Sequence, residues 1–459
     1  MFPPFPQELA HHYCEKLISL IEKGCVSLEQ TGRESQERKG QGVMLGSLVC
    51  WDKTTSRRIV LYAVSGNNRT LSGNCDGGIF VPSIASVDDI DSALAENDKE
   101  IHELTDKINS ITDKKNTQRQ ALCKKRTSLT DASLKKVFSL YSFTRFDGKK
   151  ISLDEIIQQH GGHLPPTGTG DCCAPKLLSY AFERGLQIIS MDEVYFGRDT
   201  VNKKGGTSYP PCDERCGYIL PAILGLEILY RDNDIVVINK QAGLLSVAGR
   251  GEDKQDCAES RVRQFFPQAP RQCAVHRLDM ETSGILVLAL NSEAHRKLNE
   301  QFAEGKVHKK YIALLDGILH GKPEGRTELP FRLDTDNRPH QIYDKENGKI
   351  GITEWKKIGV FSIRNSAVVE PVETTIVEFT PLTGRTHQLR LAASCPKELG
   401  GLGIPIAGDT LYGNGKTEAF PRLMLHAAEI SFIHPASGRL IHINSCQPQQ
   451  KYSFPSFLQ

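Results

Sequence analysis

Apolar positions change their spacing several times along the chain. From Leu9 the intervals to Tyr13, Leu17, Leu20 and Ile21 are helical, and Gly24 closes the segment. After a polar stretch from Thr31 to Gly42, alternating runs at Met44 to Trp51 and Ile59 to Val64 predict two strands of a small mixed domain over residues 1–86. Asn67, Asn68, Gly73, Asn74, Gly77 and Gly78 read as a turn-rich structural loop. Between Pro82 and Gly148 there is neither proline nor glycine. Across that span Val87, Ile90, Leu94, Asn97, Ile101, Leu104, Ile108 and Ile111 keep a 3,4 spacing that runs on through Lys115 and Gln118 to Leu122. The pattern predicts an arm over 87–140, either a coiled-coil-like helix or a helical hairpin folded near Asp113 to Asn116.

Residues 141–222 read as loop-rich, an extension and linker. Thr167-Gly168-Thr169-Gly170-Asp171 suggests a phosphate-cradling loop, but no strand precedes it and the third glycine and the lysine are missing, so the stretch is a turn. A short helix from near Pro175 to Gly185 follows. From Leu226 the pattern becomes strand, turn, strand: Glu227 to Tyr230, Asp232-Asn233-Asp234, Ile235 to Ile238. A loop from Gly243 to Gly249, a helix from Asp256 to Phe266 and the buried strand Ile285 to Leu290 come next. Ser292 is placed to cap a helix ending at Gly305, and Tyr311 to Leu315 reads as a strand. Ile376 to Pro381 is another strand, leading through Gly384 to a helix that runs to Ser394.

Composition narrows the class. A chain of 459 residues with 39% hydrophobic and 24% charged residues is expected to be a soluble protein of two or three domains. Formal net charge is only +2 and neither half is basic overall, so a nucleic-acid partner has to be met by a local patch. The first ten residues have no basic leader and no apolar run reaches the length of a membrane span, which predicts a cytoplasmic protein. The thirteen cysteines read as reduced thiols. Cys212-x3-Cys216 has a spacing compatible with zinc and Cys172 and Cys173 lie upstream, although adjacent cysteines are awkward corners of a tetrahedron; ordinary buried thiols are the first reading.

Candidate chemistry gathers in the second half. Val275-His276-Arg277-Leu278-Asp279-Met280-Glu281-Thr282-Ser283-Gly284 places an arginine two residues before an aspartate, on a loop that feeds a buried strand. A carboxylate turned into a dry cleft keeps its charge only with cations beside it, and one so held is a potential nucleophile. Lys306, His308, Lys309 and Lys310 form the densest basic cluster of this half, beside Tyr311; a stacking face with phosphate contacts alongside suits a flipped base. Arg385 and Arg390 in Gly384-Arg385-Thr386-His387-Gln388-Leu389-Arg390 are planar cations suited to a carboxylate or a phosphate. Taken singly, these are a surface Arg/Asp pair, a half-buried strand tyrosine and a solvated helix start.

Together, the residues His276, Arg277, Leu278, Asp279, Thr282, Ser283 and Gly284 resemble the signature of the RluA family of RNA pseudouridine synthases. Further blocks follow the family order: Leu229 to Lys240, Gly243 to Val247 with Gly249-Arg250, Lys309-Lys310-Tyr311, Asn337-Arg338-Pro339, Thr383 to Arg390, Gly408 to Gly413 and Arg422 to Ala427. The resemblance covers roughly residues 223–446 and implies an α+β pseudouridine synthase fold over 223–459, with a mixed, mainly antiparallel sheet flanked by helices and loops. Residues 1–222 are then an α+β extension carrying the helical insertion. The reaction implied is isomerisation of uridine in RNA, with Asp279, Tyr311 and Arg385 catalytic. Asp279 attacks or deprotonates the ribose, Tyr311 stacks on the uracil and moves a proton, and Arg385 pairs with Asp279. Arg277 fills the place of the flipped base, Leu423 or Leu425 walls the pocket, and His276, Lys309, Lys310, Arg338 and Arg390 complete the substrate contacts. No metal, nucleotide or redox cofactor is implied. The resemblance is greatest to the branch that accepts a tRNA anticodon stem-loop and a 23S ribosomal RNA hairpin.

Departures from the family pattern are Ala392 in place of a histidine, an insert from Cys395 to Gly403, and an extra loop from Arg364 to Glu373. Two other functions stay open at this point. Asp279-x-Glu281 faintly echoes a magnesium-dependent aspartate phosphatase, and the chain is alternatively a non-catalytic RNA-binding or assembly protein. Lys114, Lys115, Arg119, Lys124, Lys125 and Arg126 on the arm would serve RNA contact in the second case, or simply form a wet helix face.

Overall fold

The computed structural model describes residues 5–30, 42–111, 117–250, 254–363, 371–413, 420 and 422–445. It divides into two compact units, Met1–Glu227 and Ile228–Gln459. Among the described residues no helix is long and apolar enough to cross a membrane.

In the first unit, α1 (Glu8–Glu22) lays Leu17 against a sheet built from β2 (Val43–Asp52) and β3 (Arg57–Val64), whose Val43, Leu45, Val60 and Tyr62 share its core. β1 (Val26–Gln30) pairs antiparallel with β4 (Arg69–Gly73), so the predicted turn-rich loop contains a strand. The short β5 (Ile79–Phe80) edges the main sheet, in the order β5-β3-β2-β8, with β8 formed by Gln187–Phe196. That last strand corrects the loop-rich reading of 141–222. Its alternation is hidden because Asp192 and Glu193 sit mid-strand, both buried. Asp192 accepts from Ser208 Oγ at 2.7 Å, and Glu193 accepts from the Ala174 N–H at 2.7 Å, which offsets part of the cost that burial imposes on a carboxylate.

The same stretch also holds β6 (Ser142–Thr144), β7 (Lys150–Ser152), α4 (Leu153–Gln159), α5 (Cys173–Glu183) and α6 (Cys216–Leu224). The arm is two helices, α2 (Val87–Ser110) and α3 (Thr117–Phe138). Ser86 caps α2 by accepting the Asp89 N–H at 3.1 Å. Asn97 Nδ2 donates to Ser133 Oγ at 3.1 Å across the pair, and Lys125 and Lys136 reach Glu100 and Glu96. Three residues predicted to matter here, Asp113, Lys114 and Lys115, and most of the 364–373 insert lie outside the described residues.

The second unit is organised on a 10-stranded sheet. β9 (Glu227–Arg231), β10 (Ile235–Lys240), α7 (Ala258–Phe265), β11 (Ser283–Ala289), α8 (Ser292–Ala303) and β12 (His308–Leu315) come first. β13 (Glu324–Leu333), β14 (Gln341–Tyr343), β15 (Lys349–Ile363), β16 (Val372–Pro381), α9 (Gln388–Ser394), β17 (Leu425–Ile433) and β18 (Leu440–Asn444) follow. Strand order is β14-β13-β15-β16-β12-β17-β11-β10-β9, with β18 on β17. Asn291, rather than the expected Ser292, caps α8, its Oδ1 accepting the Ala294 N–H at 2.9 Å.

β11 is apolar on both faces because it is covered on both, and every residue from Ser283 to Ala289 is buried. It pairs antiparallel with β10 and parallel with β17. At the parallel crossing Gly284 has φ +113, and a Cβ there would stand 2.3 Å from the Ala427 carbonyl oxygen. The strand that leaves the Asp279 loop thus approaches β17 at a distance that requires glycine.

Candidate active site

The Asp279 loop is held from below. Ser246 Oγ donates to the Leu278 carbonyl at 2.8 Å and accepts the Leu278 N–H at 2.9 Å. Lys240 ends β10 almost fully buried and spends its ammonium on the carbonyls of Gln241 (3.0 Å), Leu244 (2.6 Å) and Met280 (3.0 Å). Burial pulls its pKa down to about 7, against the opposing charges of Glu281 and Asp279. The Thr282 N–H closes a turn on the Asp279 carbonyl at 3.1 Å. Asp279 is thereby fixed at its backbone while its side chain stays partly open, at 22% exposure.

A cavity of about 160 Å³ opens above it, lined by Asp279, Arg277, Tyr311, Lys309, Arg385, Arg390 and Leu425 among others. Tyr311 comes from β12, where a register shift against β17 falls between Lys310 and Tyr311. Burial, with Asp279 adding to it, holds the Tyr311 phenol above its usual range, so the ring is neutral at physiological pH. Lys309, two residues before it in the same strand, lines the cavity too, and burial lowers its pKa.

The third wall is the turn before α9. Gln388 Oε1 accepts from the Arg385 N–H at 3.0 Å and from Thr383 Oγ1 at 2.7 Å, while its Nε2 donates to the Ile352 carbonyl and to Thr353 Oγ1, each at 2.9 Å. His387 takes a left-handed backbone at φ 56. Its Nε2 stands 4.0 Å from Asp279 Oδ1, and its Nδ1 is 2.7 Å from the Tyr412 hydroxyl. Burial lowers the His387 pKa, with Asp279 opposing, so the ring is a polar neighbour of the carboxylate more than a cation. Arg385 lines the cavity with an exposed side chain, and among the described residues it makes no ion pair with Asp279. Its backbone is what the turn fixes; the guanidinium is left to solvent.

Several predicted substrate contacts lie elsewhere. His276 accepts the Val287 N–H on Nε2 at 3.0 Å and stacks on Phe302 at 4.8 Å, away from the cavity. Lys310 turns to Glu378 (3.3 Å) and Glu429 (3.9 Å). Arg338 is exposed in the loop between β13 and β14, and Leu423 is packed in the β12 and β16 core. Arg390, expected to meet an outside anion, does line the cavity, but its guanidinium is joined in the interior to Asp409. The residues not singled out from sequence are His387 and Thr282. Both stand inside blocks that carry the resemblance, but the signal for His387 is a backbone conformation and that for Thr282 is a buried Oγ1 with no hydrogen-bond partner among the described residues.

Comparison with known proteins places this geometry. Residues 234–394 match the RNA pseudouridylate synthase family model. Over 215 residues the chain is 41% identical to the dual-specificity RNA pseudouridine synthase RluA of Escherichia coli K12, a match covering 46% of this chain and 89% of that relative. The chain belongs to the RluA family of RNA pseudouridine synthases. The corresponding protein of Haemophilus ducreyi is 41% identical over 223 residues, 48% of this chain and 92% of the relative. Among solved structures, human RNA pseudouridylate synthase domain containing 1 has 29% identity and a TM-score of 0.39, covering 49% of this chain and 84% of its own. As a member of the RluA family the chain is an isomerase that converts uridine to pseudouridine in RNA. The phosphatase and binding-protein readings of the sequence are not favoured.

Proposed function

We propose that the cavity over Asp279 receives one uridine flipped out of a structured RNA, and that residues 223–459 form the catalytic domain. The observation that carries this is the grouping of Asp279, Tyr311, Lys309 and Arg385 on one cavity of nucleoside-base scale. Asp279 acts on the ribose, by attack at C1′ or by removing a ribose proton. The bond from C1′ to N1 breaks, the uracil turns against Tyr311, and C1′ joins C5; the C5 proton is released and N1 takes one up, so the product is an isomer of the substrate. Arg385 swings from solvent to pair with Asp279 once RNA covers the cavity and raises the strength of their attraction. Exposed Arg277 fills the space left in the RNA, Leu425 forms an apolar wall, and Lys309 meets phosphate. The chemistry needs no metal or cofactor.

The RNA targets in this reading are a tRNA anticodon stem-loop and a 23S ribosomal RNA hairpin, a pairing in keeping with the dual specificity in the names of the relatives. The extension with its α2 and α3 coiled-coil-like arm lies outside the matched region and serves target contact. The enzyme works in the cytoplasm, where both RNAs are found. The test is release of tritium from RNA labelled at uracil C5, in chelator, with total tRNA and ribosomal RNA assayed separately. Release by wild type and none by Asp279→Ala supports the assignment; equal release by both removes Asp279 from the reaction, and the RNA class that responds decides the target.

A further inference from the structure

The first unit contains a cluster of thiols that the pseudouridine chemistry does not use. Cys172, Cys212 and Cys216 bring their sulfur atoms within 4.8 Å of one another, although 40 residues of chain separate the first from the second. Each arrives from a different local structure. Cys172 is the N-cap residue of α5, Cys216 is the first residue of α6, and Cys212 follows Pro210-Pro211 in the connection between them. The Gly217 N–H closes the Cys212-x3-Cys216 turn on the Cys212 carbonyl at 2.9 Å.

Cys173, the neighbour that made a tetrahedron awkward in the sequence, is turned the other way. Its sulfur donates to the Met44 carbonyl at 3.3 Å and the Ala63 carbonyl at 3.5 Å, in the core. Cys14, another buried thiol, likewise donates to main-chain carbonyls, those of Leu45 and Asp192. The three clustered thiols instead converge on one another, graded from buried Cys216 through half-buried Cys172 to exposed Cys212. A buried carboxylate, Glu193, stands near the same helix start, with one oxygen taken by the Ala174 N–H.

We propose that Cys172, Cys212 and Cys216 bind one soft divalent cation of the zinc class, with water in the fourth position on the exposed Cys212 side. Three thiolates select such an ion over magnesium or calcium, which require oxygen ligands. The ion fastens the 210–216 connection to the starts of α5 and α6, and so joins the two helices. Binding displaces three thiol protons and needs no oxidant.

The test uses the full chain, purified under reducing conditions without chelator and without a histidine tag. About one zinc per chain is expected by elemental analysis. Cys212→Ser and Cys216→Ser should each lose at least nine-tenths of it, and Cys25→Ser, an exposed cysteine elsewhere, should keep it. A serine variant that folds poorly would also lose zinc, so cobalt(II) is added to the zinc-stripped wild type, where an intense sulfur-to-cobalt charge-transfer band and a tetrahedral visible spectrum are expected. Absence of both zinc and the cobalt band overturns the site, as does full zinc retention in the two serine variants. Finding Cys212 in a disulfide with Cys172 or Cys216 in the freshly purified protein, by alkylation and mass spectrometry, overturns it as well.

Discussion

Arg390 and Asp409 meet as a bidentate pair in the interior, Nε to Oδ2 at 2.8 Å and Nη2 to Oδ1 at 2.5 Å, with side-chain exposures of 3% and 0%. Asp409 also accepts the N–H groups of Leu411 and Tyr412, at 2.9 and 3.0 Å. The guanidinium lies over the Tyr412 ring at 5.1 Å, and Tyr412 in turn holds His387. A chain of contacts therefore runs from Asp409 to the residue facing Asp279, and Arg390 is a positioning residue.

Removing one partner of such a pair leaves a buried charge without compensation. Arg390→Met should lower the stability of the second unit by about 3–5 kcal/mol, and Arg390→Lys by less, because a lysine keeps the charge and loses the fork. The protein has two tryptophans, Trp51 in β2 and Trp355 in β15, so in a Trp51→Phe background urea unfolding followed by fluorescence reports the second unit. A loss under about 1 kcal/mol for Arg390→Met would contradict the role given to this pair.

Asp279 and Tyr311 differ in what they should lose. Asp279→Asn keeps shape and removes the carboxylate charge, so under the proposed chemistry tritium release should fall by more than about a thousandfold with the urea midpoint unchanged. Tyr311→Phe keeps the stacking face and removes the hydroxyl, and kcat should drop about a hundredfold with KM little altered. Full activity in Tyr311→Phe would restrict Tyr311 to stacking.

How much of this was readable in advance depends on whether the cause was local. β10 and β11 carry apolar runs, and Asp279 and Tyr311 stand in blocks with a fixed order, so the two strands and the place of the two residues on one cavity were legible. The fate of Arg390 was not: its partner is 19 positions on, beyond an insert, and only folding brings the two together. His387 matters through a positive φ that composition does not announce. β8 was read as loop because Asp192 and Glu193 interrupt its alternation, and their compensating donors come from Ser208 and Ala174. Tertiary partners overrode the local pattern at each of these places.

Thr282 lines the cavity and is 2% exposed, yet among the described residues its Oγ1 has no hydrogen-bond partner. An unsatisfied buried hydroxyl costs about 1–3 kcal/mol in the free enzyme, a cost that a substrate group can relieve. Thr282→Val should therefore leave the urea midpoint equal or higher while KM for RNA rises about fivefold or more. A variant that unfolds earlier at unchanged KM would mean that the hydroxyl is satisfied within the protein.

The second unit should also weaken in mild acid. His276 is half-buried against Phe302, and burial with the charge of Lys309 pushes its pKa from 6.5 down to about 3; burial and Arg422 do the same to the fully enclosed His426. The unfolded chain binds these protons near pH 6.5 and the folded one does not, so between those values the unfolded state holds more protons and stability rises with pH. The contribution is full above 6.5 and is lost progressively as the pH falls toward 3, on the order of 2 kcal/mol per histidine by pH 5. His276→Gln offers the Val287 N–H an acceptor that does not titrate. Its urea midpoint should be lower than wild type at pH 7.5, and the decline from pH 7.5 to pH 5 should be about half as steep as in wild type. Parallel declines in the two proteins would show that His276 already carries its proton in the folded state, and with it that the Nε2 contact to Val287 does not fix the start of the Asp279 loop.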